Sequence, residues 1–96
     1  MENILNKYAL TGKVAVVTGA GQGIGRAISI AFAQAGAKVA CLDLIGENAA
    51  RTAQEITDDG GIALGVQVDV SNEASTQNAI LKVMQAYDGI HVLLNG

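Results

Sequence analysis

The sequence predicts an α/β fold: a parallel sheet wound on both faces by helices. Three observations predict it. Four short aliphatic runs recur at near-equal spacing, the segments between them show helical periodicity, and glycine marks each helix-to-strand junction. The runs are KVAVVT at 13–18, KVACLD at 38–43, IALGVQVD at 62–69 and IHVLLN at 90–95. Three of them are nearly continuously apolar and β-branched, as strands covered on both faces must be.

The helices follow in turn. After the first run, Ile24, Ala27, Ile28, Ala31 and Ala35 fall on one face at helical spacing. The second segment, GENAARTAQEITDDG, carries a weaker stripe of Ala49, Ala53 and Ile56. The third is opened by Ser71 as N-cap with Glu73 in the first turn, and places Thr76, Ile80, Val83 and Tyr87 together. Gly36, Gly60 with Gly61, and Gly89 stop the three helices. The predicted order is β-α-β-α-β-α-β.

Composition sets the outer bounds. With 96 residues the chain is at most one small domain, near the lower limit for a self-sufficient core. Half the residues are apolar and 3% aromatic, so the core is aliphatic. Proline is absent, where average usage would give roughly five, and glycine stands at 12, which favours regular elements joined by tight turns. A net charge of −3, with no cluster of Lys or Arg, argues against a nucleic-acid partner. No apolar stretch approaches the roughly 18 residues a membrane span needs. The opening MENILNKYAL lacks signal-peptide organisation. One cysteine, Cys41, forbids an internal disulfide and fits a reducing compartment, so the expectation is a soluble cytoplasmic protein.

The last residue of each predicted strand is polar: Thr18, Asp43, Asp69 and Asn95, at intervals of 25, 26 and 26 residues. In a right-handed parallel sheet these carboxyl ends open on one edge, where ligands bind. One polar strand end signifies little, because turns are polar anyway. Four in step form a rim.

Above that rim lies TGAGQGIG, Thr18 to Gly25, with glycine at every second position from Gly19. A loop between a strand and the helix after it joins free backbone N–H groups to the positive helix end, which suits a diphosphate. The spacing G-x-G-x-x-G does not fit, since its third glycine would fall on Ile24 or Arg26. The pattern T-G-x-x-x-G-x-G fits, through Thr18, Gly19, Gly23 and Gly25. A Walker A loop is excluded because no Lys is present.

With CLD, DV and HVLLN in register behind it, this motif resembles the N-terminal half of the short-chain dehydrogenase/reductase family, from about Gly12 onward. The resemblance implies a Rossmann-type doubly wound sheet in strand order 3-2-1-4, with residues 1–10 a lead segment and 11–96 an NAD-binding half-domain. It implies that Gly19 makes the tight turn, that Gly23 admits the diphosphate and that Gly25 permits close helix packing. Gln22 and Ile24 would lie beside the cofactor. Asp43 would accept from the adenosine ribose hydroxyls, Leu44 would follow it at the selectivity position, and Asp69 with Val70 would flank the adenine. Asn95 would match the first Asn of the family's N-N-A-G motif. A carboxylate at Asp43 repels a 2′-phosphate, and Gln22 and Leu44 are uncharged where NADP-dependent members carry basic residues, so NAD is the cofactor expected. Arg26, the nearby cation, is read as an exposed helix residue.

The departures are as informative. The family's catalytic Tyr-x-x-x-Lys has no counterpart, because Tyr8 and Tyr87 are followed four positions on by Gly12 and His91. Gly96 stands in the second Asn position of N-N-A-G. The expectation is a piece of a larger domain, its edge strand open to aggregation or dimerisation when isolated. His91 is read as a structural or surface residue, Cys41 as a buried inert thiol and Asp58–Asp59 as a solvated turn with no metal-ligand spacing beside it. Two classes of function remain. One is the cofactor half of an NAD-dependent dehydrogenase that interconverts an alcohol and a ketone, homotetrameric or dimeric like its family. The other is a non-catalytic dinucleotide-binding module or sensor.

Overall fold

The structure is a computed structural model that describes residues 9–95. Residues 1–8 of the lead segment, with Tyr8, and Gly96 lie outside the described residues. The elements are β1 (Val14–Thr18), α1 (Gly23–Gln34), β2 (Lys38–Asp43), α2 (Gly46–Asp58), β3 (Ile62–Gln67), α3 (Glu73–Tyr87) and β4 (Val92–Asn95). All strand pairs are parallel, and their order is β3-β2-β1-β4. This is the doubly wound α/β architecture the sequence predicts.

Strand alternation divides the aliphatic residues between two cores. Val14, Val16, Ala40, Leu42, Val66 and Val68 pack with Ala79 and Val83 of α3 on one face. Ala15, Val17, Val39 and Cys41 pack with Ala53 and Ile56 of α2 on the other, joined there by Ile30, Phe32 and Ala33 of α1. Because β1 and β2 are apolar on both faces, helices can shield both, and a two-sided parallel sheet follows. The predicted α2 stripe of Ala49, Ala53 and Ile56 is buried, together with Thr52.

The predicted face of α1 requires correction. Gly25 and Ser29 point inward, whereas Ile24 is 78% exposed. Of the predicted stripe only Ala35 is buried, Ala27 is exposed, and Ile28 and Ala31 are half-buried. The cause is close approach: a β-carbon at position 25 would stand 2.1 Å from the Gly19 carbonyl oxygen. Only a small residue can face the sheet there, and Ser29 turns its hydroxyl back onto the Gly25 carbonyl at 2.8 Å. Of the apolar stripe, Ile24 and Ala27 therefore lie on the outer side of this helix.

Element ends shift by one or two residues. Asn72, not Ser71, caps α3, its side chain accepting from the Ser75 amide at 3.0 Å. Asp88 rather than Gly89 takes the left-handed conformation after α3, at φ 62°. Of the α3 stripe, Val83 is buried and Thr76, Ile80 and Tyr87 are half-buried, while Ala79 faces the core beside them. β3 ends at Gln67, so Asp69 stands two residues beyond its strand. β4 begins at Val92 because His91 completes the pairing differently. The His91 amide donates to the Val14 carbonyl at 2.9 Å, and its Nδ1 accepts from the Val14 amide at 3.0 Å. The side chain thus takes a strand's place beside β1, the structural role read from the sequence.

Among the described residues no helix is long and apolar enough to cross a membrane, and no group of His, Cys, Asp and Glu is placed to hold a metal ion. Cys41 is fully buried in β2, and burial pushes its thiol up to about 11 from 9.0. The unfolded thiol ionises first, so the contribution of Cys41 to stability is constant below pH 9.0 and falls as pH rises from there toward about 11. Denaturant melts across that window should show a steeper fall for the protein than for Cys41→Ala. Parallel curves would place the thiol in a polar setting.

Candidate functional site

The carboxyl edge of the sheet gathers most of the predicted residues, and the β1–α1 loop is its centre. Gly19 and Gly23 adopt φ of 66° and 61°, the left-handed region that glycine enters without steric penalty. Around Gly23 a β-carbon would meet nothing within 4 Å, so the loop presents open space on that side. Gln22 is the N-cap of α1, yet its side chain makes no capping hydrogen bond, and the first turn holds no acidic residue. The other helices differ: Glu47 lies in the first turn of α2, and α3 has Asn72 and Glu73. The amides opening α1 are thus left without a side-chain acceptor from a cap, at the positive end of the helix dipole.

Three contacts bolt this loop to its neighbours. The Ala20 amide donates to the Leu42 carbonyl at 2.9 Å. The buried Thr52 hydroxyl of α2 donates to the Ala20 carbonyl at 2.9 Å. The Gly21 amide donates to Oδ2 of Asp43 at 2.8 Å. Oδ1 of the same carboxylate accepts from the Ile45 amide at 2.9 Å, so Asp43 fixes the glycine loop and the β2–α2 loop at once. Leu44 follows, 61% exposed, its carbonyl accepting from the Gln67 side chain at 3.2 Å.

The rim is staggered rather than level. Thr18 pairs with Leu42 and with Asn95, and its hydroxyl donates to Oδ1 of Asn95 at 3.0 Å. Asp43 pairs with Gln67, one step beyond. Asp69 comes two residues later still and is engaged within its own loop. Its Oδ1 accepts from the Ser71 hydroxyl at 2.6 Å and from the Ser71 amide at 3.0 Å, and these bonds hold the carboxyl below the usual range. Val70 beside it is 66% exposed. Leu44 and Val70 are exposed apolar side chains on the β2–α2 and β3–α3 connections, and Ile24 is another in the first turn of α1. Arg26, expected to be exposed, is half-buried and forms an ion pair with Glu55 of α2.

Thr52 and Gly21 were not singled out by the sequence reading. Thr52 sits inside a polar stretch of α2, and only the packed helix aims its hydroxyl at the loop. Gly21 left a trace, since it was the one alternate glycine without a place in the T-G-x-x-x-G-x-G pattern.

Known proteins share this arrangement. The family model described as short chain dehydrogenase matches residues 13–96. The chain is 42% identical over 88 residues to D-threitol dehydrogenase of Mycolicibacterium smegmatis, covering 92% of this chain and 34% of that protein. It is 40% identical over 87 residues to the 3-oxoacyl-[acyl-carrier-protein] reductase FabG of Aquifex aeolicus, covering 90% and 35%. A hydroxysteroid dehydrogenase from Escherichia coli superposes with a TM-score of 0.88 at 35% identity, covering 90% of this chain and 37% of that one. The chain therefore belongs to the short chain dehydrogenase family of oxidoreductases, whose cofactor is a nicotinamide dinucleotide. It spans about a third of the length of the curated relatives it matches.

Removing the Thr52 hydroxyl while keeping its shape should expose how strongly the loop is held. Thr52→Val leaves the Ala20 carbonyl without this donor and should cost about 1–3 kcal/mol in denaturant unfolding, with Thr52→Ser restoring most of it. Equal stability of the two variants would show that the bond holds nothing.

Proposed function

We propose that this chain is the cofactor half of an NAD(H)-dependent oxidoreductase that interconverts an alcohol and a ketone. The observation that carries the reading is the pairing of two features. The opening of α1 is free of caps and acids and so offers its amides to an anion, and the Asp43 carboxylate is held beside it by Gly21. The amides of Gln22, Gly23 and Ile24, after the turn at Gly19, would hold the diphosphate, with Gly25 letting the helix start this close to β1. Asp43 accepts from the two ribose hydroxyls, for a carboxylate oxygen has room for more than one donor. Leu44, Asp69 and Val70 border the adenine, and Asn95, tied to Thr18, supports the ribose side of the sheet centre.

When bound, the nicotinamide ring accepts or donates the hydride. The residues of this chain bind and orient; no Tyr-x-x-x-Lys to move the proton occurs among these 96 residues. The preference for NAD rests on charge. A 2′-phosphate would meet the Asp43 carboxylate, while Gln22 and Leu44 are neutral and Arg26 is paired with Glu55. The exposed apolar residues Leu81, Met84 and Leu93 support burial against further protein, in a homotetramer or dimer. The free, buried thiol of Cys41 fits the reducing cytoplasm.

Calorimetric titration tests the reading. NADH should bind at least about tenfold more tightly than NADPH, and Asp43→Ala should bring the two within a few-fold of each other. Tighter binding of NADPH by the unaltered protein would overturn it.

A further inference from the structure

Each of the four alternate glycines of the loop has a different reason to lack a side chain, and the reason at Gly21 points at the cofactor. Gly19 and Gly23 are required by left-handed backbone, and Gly25 by the Gly19 carbonyl. Gly21 is buried and outside the left-handed region, so its backbone would accept any residue. Space forbids it instead. A β-carbon there would lie 2.6 Å from Oδ2 and 2.9 Å from Cγ of Asp43, and 2.5 Å from the β-carbon of Asn48. Real contacts of this kind are not made below about 3 Å, so a methyl at 21 must rotate the carboxylate away or push back the first turn of α2.

We propose that Gly21 is a specificity-determining residue: by having no side chain it lets its amide grip Oδ2 of Asp43, and so sets the carboxylate in the orientation that distinguishes a ribose diol from a 2′-phosphate. The inference rests on the reading of Asp43 given under Proposed function. Its physical basis is preorganisation. With Oδ2 held by the Gly21 amide and Oδ1 by the Ile45 amide, the rotamer is set before any ligand arrives. The two amides also fix where the carboxylate oxygens lie. A freed carboxylate could swing aside, losing hydrogen bonds to the diol and relaxing its repulsion of the phosphate together. Selectivity then belongs to the pair of residues and not to Asp43 alone.

The test is a double-mutant cycle read as binding, with NADH and NADPH titrated calorimetrically into the protein, Gly21→Ala, Asp43→Ala and the double variant. Gly21→Ala should cut the NADH-over-NADPH preference by about tenfold or more, mostly through weaker NADH binding. In the Asp43→Ala background, adding Gly21→Ala should leave the preference unchanged. If Gly21→Ala weakens both cofactors equally, or alters the preference as much without Asp43 as with it, the inference falls and the reading of Asp43 stands. If Asp43→Ala itself keeps the original preference, the reading of Asp43 falls and takes this inference with it. Should Gly21→Ala not fold, Gly21→Ala combined with Asn48→Gly removes the contact with α2, retains the one with the carboxylate, and carries the same expectations.

Discussion

The hydrogen bond from the Gly21 amide to Asp43 is where the geometry of this molecule converges. It joins the end of β2 to the loop that follows β1, beside the Ala20–Leu42 backbone bond and the Thr52 hydroxyl that holds the Ala20 carbonyl. A loop of small residues has few contacts of its own, and glycine loses more conformational freedom on ordering than any other residue. Tying such a loop to a buried strand and a packed helix overcomes that entropy. The loop then keeps its shape without a cap on α1, and the amides at the helix opening stay available.

That economy has a geometric requirement. For the α1 amides to face the sheet edge, the helix must begin directly over the end of β1, which brings Gly25 against the Gly19 carbonyl. The inner side of α1 is therefore small and partly polar at Gly25 and Ser29, with Ile30, Phe32 and Ala33 packing on the core beyond them and Ile24 left outside. On the opposite face α3 covers Val14, Val16 and Leu42, while Leu93 of the edge strand remains exposed. The sheet is best protected at β1 and β2, the two strands whose ends carry Thr18 and Asp43. The candidate site lies where the sheet is most deeply buried.

Most of the architecture was legible because a parallel sheet needs runs apolar on both faces, and such runs stand out against helical spacing. The α2 stripe was readable for the same reason: Ala49, Ala53 and Ile56 meet the sheet through ordinary side-chain packing. The α1 stripe misled, because there backbone meets backbone and the inward positions carry glycine and serine. The end of β3 misled too, since Val68 remains buried after the ladder has closed and Asp69 spends its carboxylate on a local turn with Ser71. His91 was understood as structural from the absence of partners, but its bond to the Val14 amide spans 77 residues of sequence and had no local signal.

Patterns with a short period were thus decided along the chain: four strands, three helices, their order, and a glycine loop followed by an acidic strand end. These depend on neighbours within a few residues, and a period of two or of about 3.6 records them directly. What folding alone decided are the contacts between segments far apart in sequence. The inward face of α1, the hold of Thr52 on Ala20, and the demand that Gly21 stay bare beside Asp43 and Asn48 all arise when separate elements approach within van der Waals distance. No periodicity encodes that approach, because the space available at one residue is set by atoms that the rest of the chain brings there.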